Sequence, residues 1–103
     1  MRLAKVYMKG VLAGTLCEYE RNRHYSFEYL SSYVGSPISL TLPVSREVYS
    51  FDEFPGVFDG LLPEGLQLDA LLKTRKVDSD DYFSQLMIVG EDLVGAITVE
   101  EMT

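Results

Sequence analysis

Apolar and polar residues alternate from the start of the chain. Ala4, Val6 and Met8 fall on one side of an extended segment over residues 3–9, and Lys5, Tyr7 and Lys9 fall on the other. That period of two is the mark of a half-buried strand. Gly10 punctuates it, and Val11–Tyr19 is a second extended run, interrupted by Gly14. After the charged turn Glu20-Arg21-Asn22-Arg23, the aromatics of Tyr25–Leu30 favour a third strand. Ile38–Leu42 lies between Pro37 and Pro43, so it is read as an edge strand or a brief pairing. The first half of the chain is therefore an antiparallel meander.

Beyond Ser45 the period becomes helical. Phe54, Val57, Phe58, Leu61 and Leu62 recur at spacings of three and four, which places them on one helical face. Ser50 with Glu53 has the form of a capping box. Asp52 is the better N-cap because it leaves Pro55 in the free first turn, and Pro63 ends the helix. A second helix over about 64–75 turns Leu68, Leu71 and Leu72 inward and ends on Lys73, Arg75 and Lys76, cations suited to a helix C-terminus. Asp78 or Ser79 caps a third helix, with Asp80 and Asp81 in its first turn. Its apolar stripe is Tyr82, Phe83, Leu86 and Met87, and Gly90 suits C′. Val94–Val99 alternates again as a last strand. The expected fold class is α+β, with about five antiparallel strands, about three helices and the last strand at the C-terminus, in one domain over residues 1–103.

Composition narrows the function. Apolar residues make up 47% of the 103 positions and charged residues 24%, values of a globular chain. At this length the core is thin, so marginal stability alone, or stabilisation by a partner, is expected. The net charge is −7, and it is uneven: residues 1–51 carry six cations against four anions, residues 52–103 three cations against twelve anions. An acidic half argues against holding phosphate backbones, so no direct nucleic-acid contact is expected. It also suits association with a basic partner. No run of apolar residues is long enough to span a bilayer. The lone Cys17 forms no internal disulfide, which points to a reducing, cytoplasmic setting.

The chain has none of the phosphate-binding, dinucleotide-binding, zinc-protease or kinase signatures. Its only histidine, His24, follows Arg23 and has no second His or Cys at ligand spacing, so it is read as a structural or surface residue. Cys17, in a strand-like run, reads as a small buried thiol. Asp59 with Glu64, and Asp80 with Asp81, are pairs expected by chance in so acidic a sequence. The seven tyrosines and five phenylalanines lack the cationic groove of a base-stacking surface and are assigned to core and interface duty. No catalytic residue, metal ligand or cofactor site is expected. The segment Phe58-Asp59-Gly60-Leu61-Leu62-Pro63-Glu64-Gly65-Leu66 stands out, because it exposes Glu64 and Leu66 on a proline-stiffened turn.

That segment, together with Pro37-Ile38-Ser39-Leu40-Thr41-Leu42-Pro43 and Gly90-Glu91-Asp92-Leu93-Val94-Gly95-Ala96, resembles the N-terminal subdomain of HipA-like serine/threonine kinases of bacterial toxin–antitoxin systems. In order and spacing the three pieces are similar to its P-L-S-L-x-L-P, F-x-x-L-L-P-[ED] and G-x-D-x-x-G-A stretches, over about Lys5 to Val99. Such kinases continue for several hundred residues, whereas this sequence stops at Thr103. It thereby resembles the free-standing HipS-like proteins of tripartite HipB–HipS–HipT modules. The resemblance implies a non-catalytic antitoxin that binds and restrains a HipT-like kinase, beside a HipB-like helix-turn-helix protein that holds the DNA. It implies partner contact through Leu61, Leu62, Pro63, Glu64, Gly65 and Leu66, with Leu66 as anchor. The chain departs from many relatives in carrying leucine at 66 where they have a bulky aromatic. An accessory subunit that completes the kinase surface for the HipB-like protein, with little inhibition of its own, is the alternative.

Overall fold

The computed structural model describes residues 1–90 and 96–102. Five strands form one antiparallel sheet in the order β4-β3-β2-β1-β5. They are β1 (Arg2–Met8), β2 (Val11–Glu20), β3 (Arg23–Tyr29), β4 (Tyr49–Phe51) and β5 (Ile97–Met102). The helices are α1 (Gly56–Asp59), α2 (Gly65–Arg75) and α3 (Tyr82–Val89). The α+β class, the five antiparallel strands, the three helices and the last strand agree with the sequence reading.

The alternation of β1 carries directly into packing. Ala4 and Val6 are fully buried and pair across to Leu16 and Gly14 of β2, which in turn face Phe27 and Tyr29 of β3. Phe58 of α1 and Phe83 and Leu86 of α3 close over this face, so the core lies between the sheet and these two helices. Lys9 and Gly10, at φ 52° and 82°, make the two-residue β1–β2 turn. Both central residues there need positive φ, the usual geometry of a tight hairpin.

The region before the helices settles one alternative and departs from the sequence reading in two places. Ile38–Leu42 is the brief pairing and not an edge strand: an isolated bridge joins Ser39 to Leu42. The Tyr29 hydroxyl decides this, donating to Leu42 O at 2.5 Å and accepting from Ile38 N at 3.0 Å, so it holds the segment as a tight turn with Ile38 and Leu42 buried. The fourth strand is instead Tyr49–Phe51, paired with Tyr25–Phe27, and three residues are too few to show a period. Because Phe51 belongs to the sheet and Asp52 O accepts the His24 N–H at 3.3 Å, Asp52 does not cap a helix. Pro55 takes the N-cap position without a side-chain hydrogen bond, and α1 is four residues long.

At the third helix the cap is Asp81, whose carboxylate accepts the Ser84 N–H, rather than Asp78 or Ser79. Gly90 is not a left-handed C′ residue; it is right-handed, at φ −58°. Glycine fits there because a β-carbon would collide with the Val99 carbonyl of β5. The last strand begins at Ile97 and runs to Met102, later than expected; Val94 and Gly95, with Glu91–Leu93 of the glycine-flanked segment, lie outside the described residues.

Candidate protein-contact site

The helical period over Phe54–Leu62 fixes the stem of the site. Phe58 is buried, and Phe54, Val57, Leu61 and Leu62 pack half-buried against the core. The chain keeps turning past α1, since the Leu61 and Leu62 amides donate to Phe58 O and Asp59 O at 3.0 and 3.1 Å. Pro63 then breaks the turn. Gly65 opens α2 at φ +59° with open space around it, a conformation in which a side chain would be strained. The result is a corner with one anchored and one free side. Leu61, Leu62 and Pro63 are half-buried, Glu64 and Gly65 are exposed, and Leu66 is 86% exposed.

Helix α2 corrects a further expectation. Leu68, Leu71 and Leu72 were expected to turn inward, yet no residue of α2 is buried, and these three stay half-exposed. The helix ends as the sequence implied, with Lys73 and Arg75 in its last turn and Lys76 left-handed at φ 55°. Eleven residues without a buried face are a marginal helix in water, and Leu68, Leu71 and Leu72 keep part of their apolar surface exposed.

At the start of α3 a charge network ties the sheet to the helix. The Glu18 carboxylate is 2% exposed and accepts from Arg2 Nε (2.7 Å), the Tyr25 hydroxyl (2.7 Å) and Asn22 N (3.2 Å). Arg2 also reaches Asp81 and Ser84 of the α3 cap, both at 2.9 Å, and lies 4.8 Å over the Phe83 ring. Burial alone would lower the Arg2 pKa, but hydrogen bonds to Asp81 and Glu18 outweigh it and raise it. Burial likewise pushes Asp81 up, and the Arg2 and Ser84 hydrogen bonds bring it below the usual carboxylate range. Burial, then the bond to Glu18, holds the Tyr25 phenol protonated well above its ordinary value. Sequence reasoning missed this network because its members stand 16 and 79 residues apart, with no local pattern linking them.

His24 is exposed on the β2–β3 side at φ 54°. Cys17 is buried and its thiol pKa is raised, first by burial. Asp59 and Glu64 are both exposed on the corner. Among the described residues no group of three or more His, Cys, Asp or Glu is placed to hold a metal ion, and no helix is long and apolar enough to cross a membrane.

Residues 4–100 match the family model for the HipA N-terminal domain. The chain belongs to the HipA N-terminal domain family. An uncharacterized protein of Haemophilus influenzae is 32% identical over 101 residues, covering 98% of this chain and 93% of that protein. A solved structure, the N-terminal domain of HipA toxin, is similar with a TM-score of 0.77 and 28% identity, over 100% of this chain and 94% of that one. The HipA N-terminal domain is a small accessory domain, distinct from the kinase domain, in a family linked to toxin–antitoxin systems.

Proposed function

We propose that this protein is a HipS-like, non-catalytic regulatory subunit that binds a HipT-like serine/threonine kinase and restrains it, in a complex that also holds a HipB-like DNA-binding protein. One observation carries the reading: a proline-stiffened corner, anchored in the core through Leu61 and Leu62, projects Leu66 almost fully into solvent at the head of a helix with no buried residue. Leu66 is the anchor in an apolar pocket of the kinase, Glu64 its polar companion, and the leucines of α2 bury their remaining surface alongside. A kinase has to assemble its lobes and loops around ATP. A subunit that binds the unassembled arrangement more tightly shifts the kinase away from activity by that difference in affinity. Leucine offers less surface than an aromatic residue at the same position, so the helix carries a larger share of the grip.

The test is kinase autophosphorylation with the wild-type subunit and with Leu66→Asp. Inhibition falls at least tenfold in the variant, because a charge replaces an apolar anchor in a desolvated pocket. Equal inhibition by both proteins removes the corner from the mechanism. The alternative of an assembly subunit without inhibition of its own predicts instead that activity drops only when the HipB-like protein is also present.

A further inference from the structure

Between the β2–β3 turn, the segment leading into α1 and the start of α3 lies a concavity of about 530 Å³, lined by Asn22, Glu53, Phe54, Gly56, Asp59 and Tyr82. Its two charged groups, Glu53 and Asp59, are both carboxylates and both exposed. The aromatic walls are held in place: Phe54 and Tyr82 stand 5.7 Å apart between ring centroids, and Phe54 meets buried Tyr25 edge-on at 5.4 Å. Asn22 Oδ1 is buried and takes no hydrogen bond from any described residue. Arg21, beside Asn22 in the chain, is directed away to Asp78 and Asp80 at 2.8 and 3.1 Å.

Aromatic faces attract a cation, arginine more often than lysine, and the carboxylate rim selects positive charge. A guanidinium meets both demands, being flat, always charged, rich in donors and free of acceptors. An anion is repelled by the rim, and a neutral apolar group leaves both carboxylates without a partner. We infer that this concavity receives an arginine side chain of the kinase partner. The inference rests on the reading of Leu61–Leu66 as the kinase contact, and Asp59 stands two residues before Leu61, so one docked surface spans both.

Three variants and two small probes test it. A β-carbon at Gly56 meets nothing within 4 Å, and its φ is not positive, so Gly56→Lys places a cation of the chain's own in the concavity without disturbing the core. Kinase affinity is measured at low and high salt for the wild type, Gly56→Lys, Asp59→Asn and the charge-matched control Glu28→Gln on the opposite face of the sheet. Gly56→Lys and Asp59→Asn each weaken binding about five- to tenfold at low salt, less at high salt, while Glu28→Gln binds as the wild type. In NMR titrations of the free chain, N-acetyl-arginine amide shifts the Gly56 amide and the Asn22 side-chain amide saturably, and N-acetyl-citrulline amide does not. Tight binding by all three variants, equal weakening by the control, or matching responses to the two probes overturns the arginine site and leaves the corner standing. Failure of the wild type to bind the kinase at all brings down both.

Discussion

Arg2 does more structural work than a surface cation ordinarily does. It is the group that balances Glu18, a carboxylate 2% exposed, and it bridges β2 to the cap of α3. Breaking one side of such a pair strands a buried charge, which costs more than the pair itself contributes. Arg2→Met therefore lowers unfolding free energy by about 2–3 kcal/mol in urea titrations, toward the low end for a buried pair because Tyr25 and Asn22 still bond Glu18. Combining it with Glu18→Gln restores part of the loss, since the stranded charge is gone. The same cluster sets the acid limb of stability. Asp81 is held below its ordinary value, so its contribution is fully present above the usual carboxylate pKa of about 3.9 and disappears as pH falls through the lower folded value. Asp81→Asn flattens the stability profile below about pH 4 and keeps an oxygen to accept the Ser84 N–H, so its cost near neutral pH is the ion pair with Arg2; thermal melts from pH 2 to 7 read both effects. The sequence placed Asp81 in the first turn of a helix but gave no sign of its pairing with Arg2, because an ion pair across 79 positions exists only once the strands and helix are assembled.

The secondary-structure elements divide by what their sequence had to satisfy. Strands β1 and β2 were legible in the alternation and in Gly10, since a strand with one buried face must repeat every two residues. Helix α3 was legible in its apolar stripe, though its cap shifted to Asp81 because Arg2 and Ser84 both take hold of that carboxylate. Helix α2 was legible as a helix but not in its fate. Leu68, Leu71 and Leu72 have core spacing, yet among the described residues none buries them fully. Hydrogen exchange makes this visible: α2 amides exchange far faster than those of β1 and β2 in the free chain, and slow by at least tenfold when the kinase is bound. Fast exchange in both states removes α2 from the interface. The short strand β4 was illegible, and Tyr49–Phe51 was absorbed into the helical region because three residues define no period.

Taken together, the molecule is a sheet covered on one face, with a charged seam at one helix and an unfinished apolar ridge at another. Its acidic second half is partly neutralised within the chain, as Arg21 pairs with Asp78 and Asp80, and exposed pairs of this kind add little to stability. The carboxylates of Glu53 and Asp59 are left without a described cationic partner in hydrogen-bond reach. The sequence by itself determined the fold class, the β1–β2 hairpin, the apolar stripe of α3 and the corner at Pro63, because each depends on spacing and backbone rules between near neighbours. Only the tertiary structure decided that Ile38–Leu42 is a turn pinned by Tyr29, that Glu18 is buried against Arg2, that α2 has no core to enter, and that Asn22 meets Glu53, Asp59 and Tyr82 around one hollow. Those outcomes depend on which distant surfaces come together and how much room they leave, and burial and unpaired polar atoms are properties of that assembly rather than of any stretch of chain.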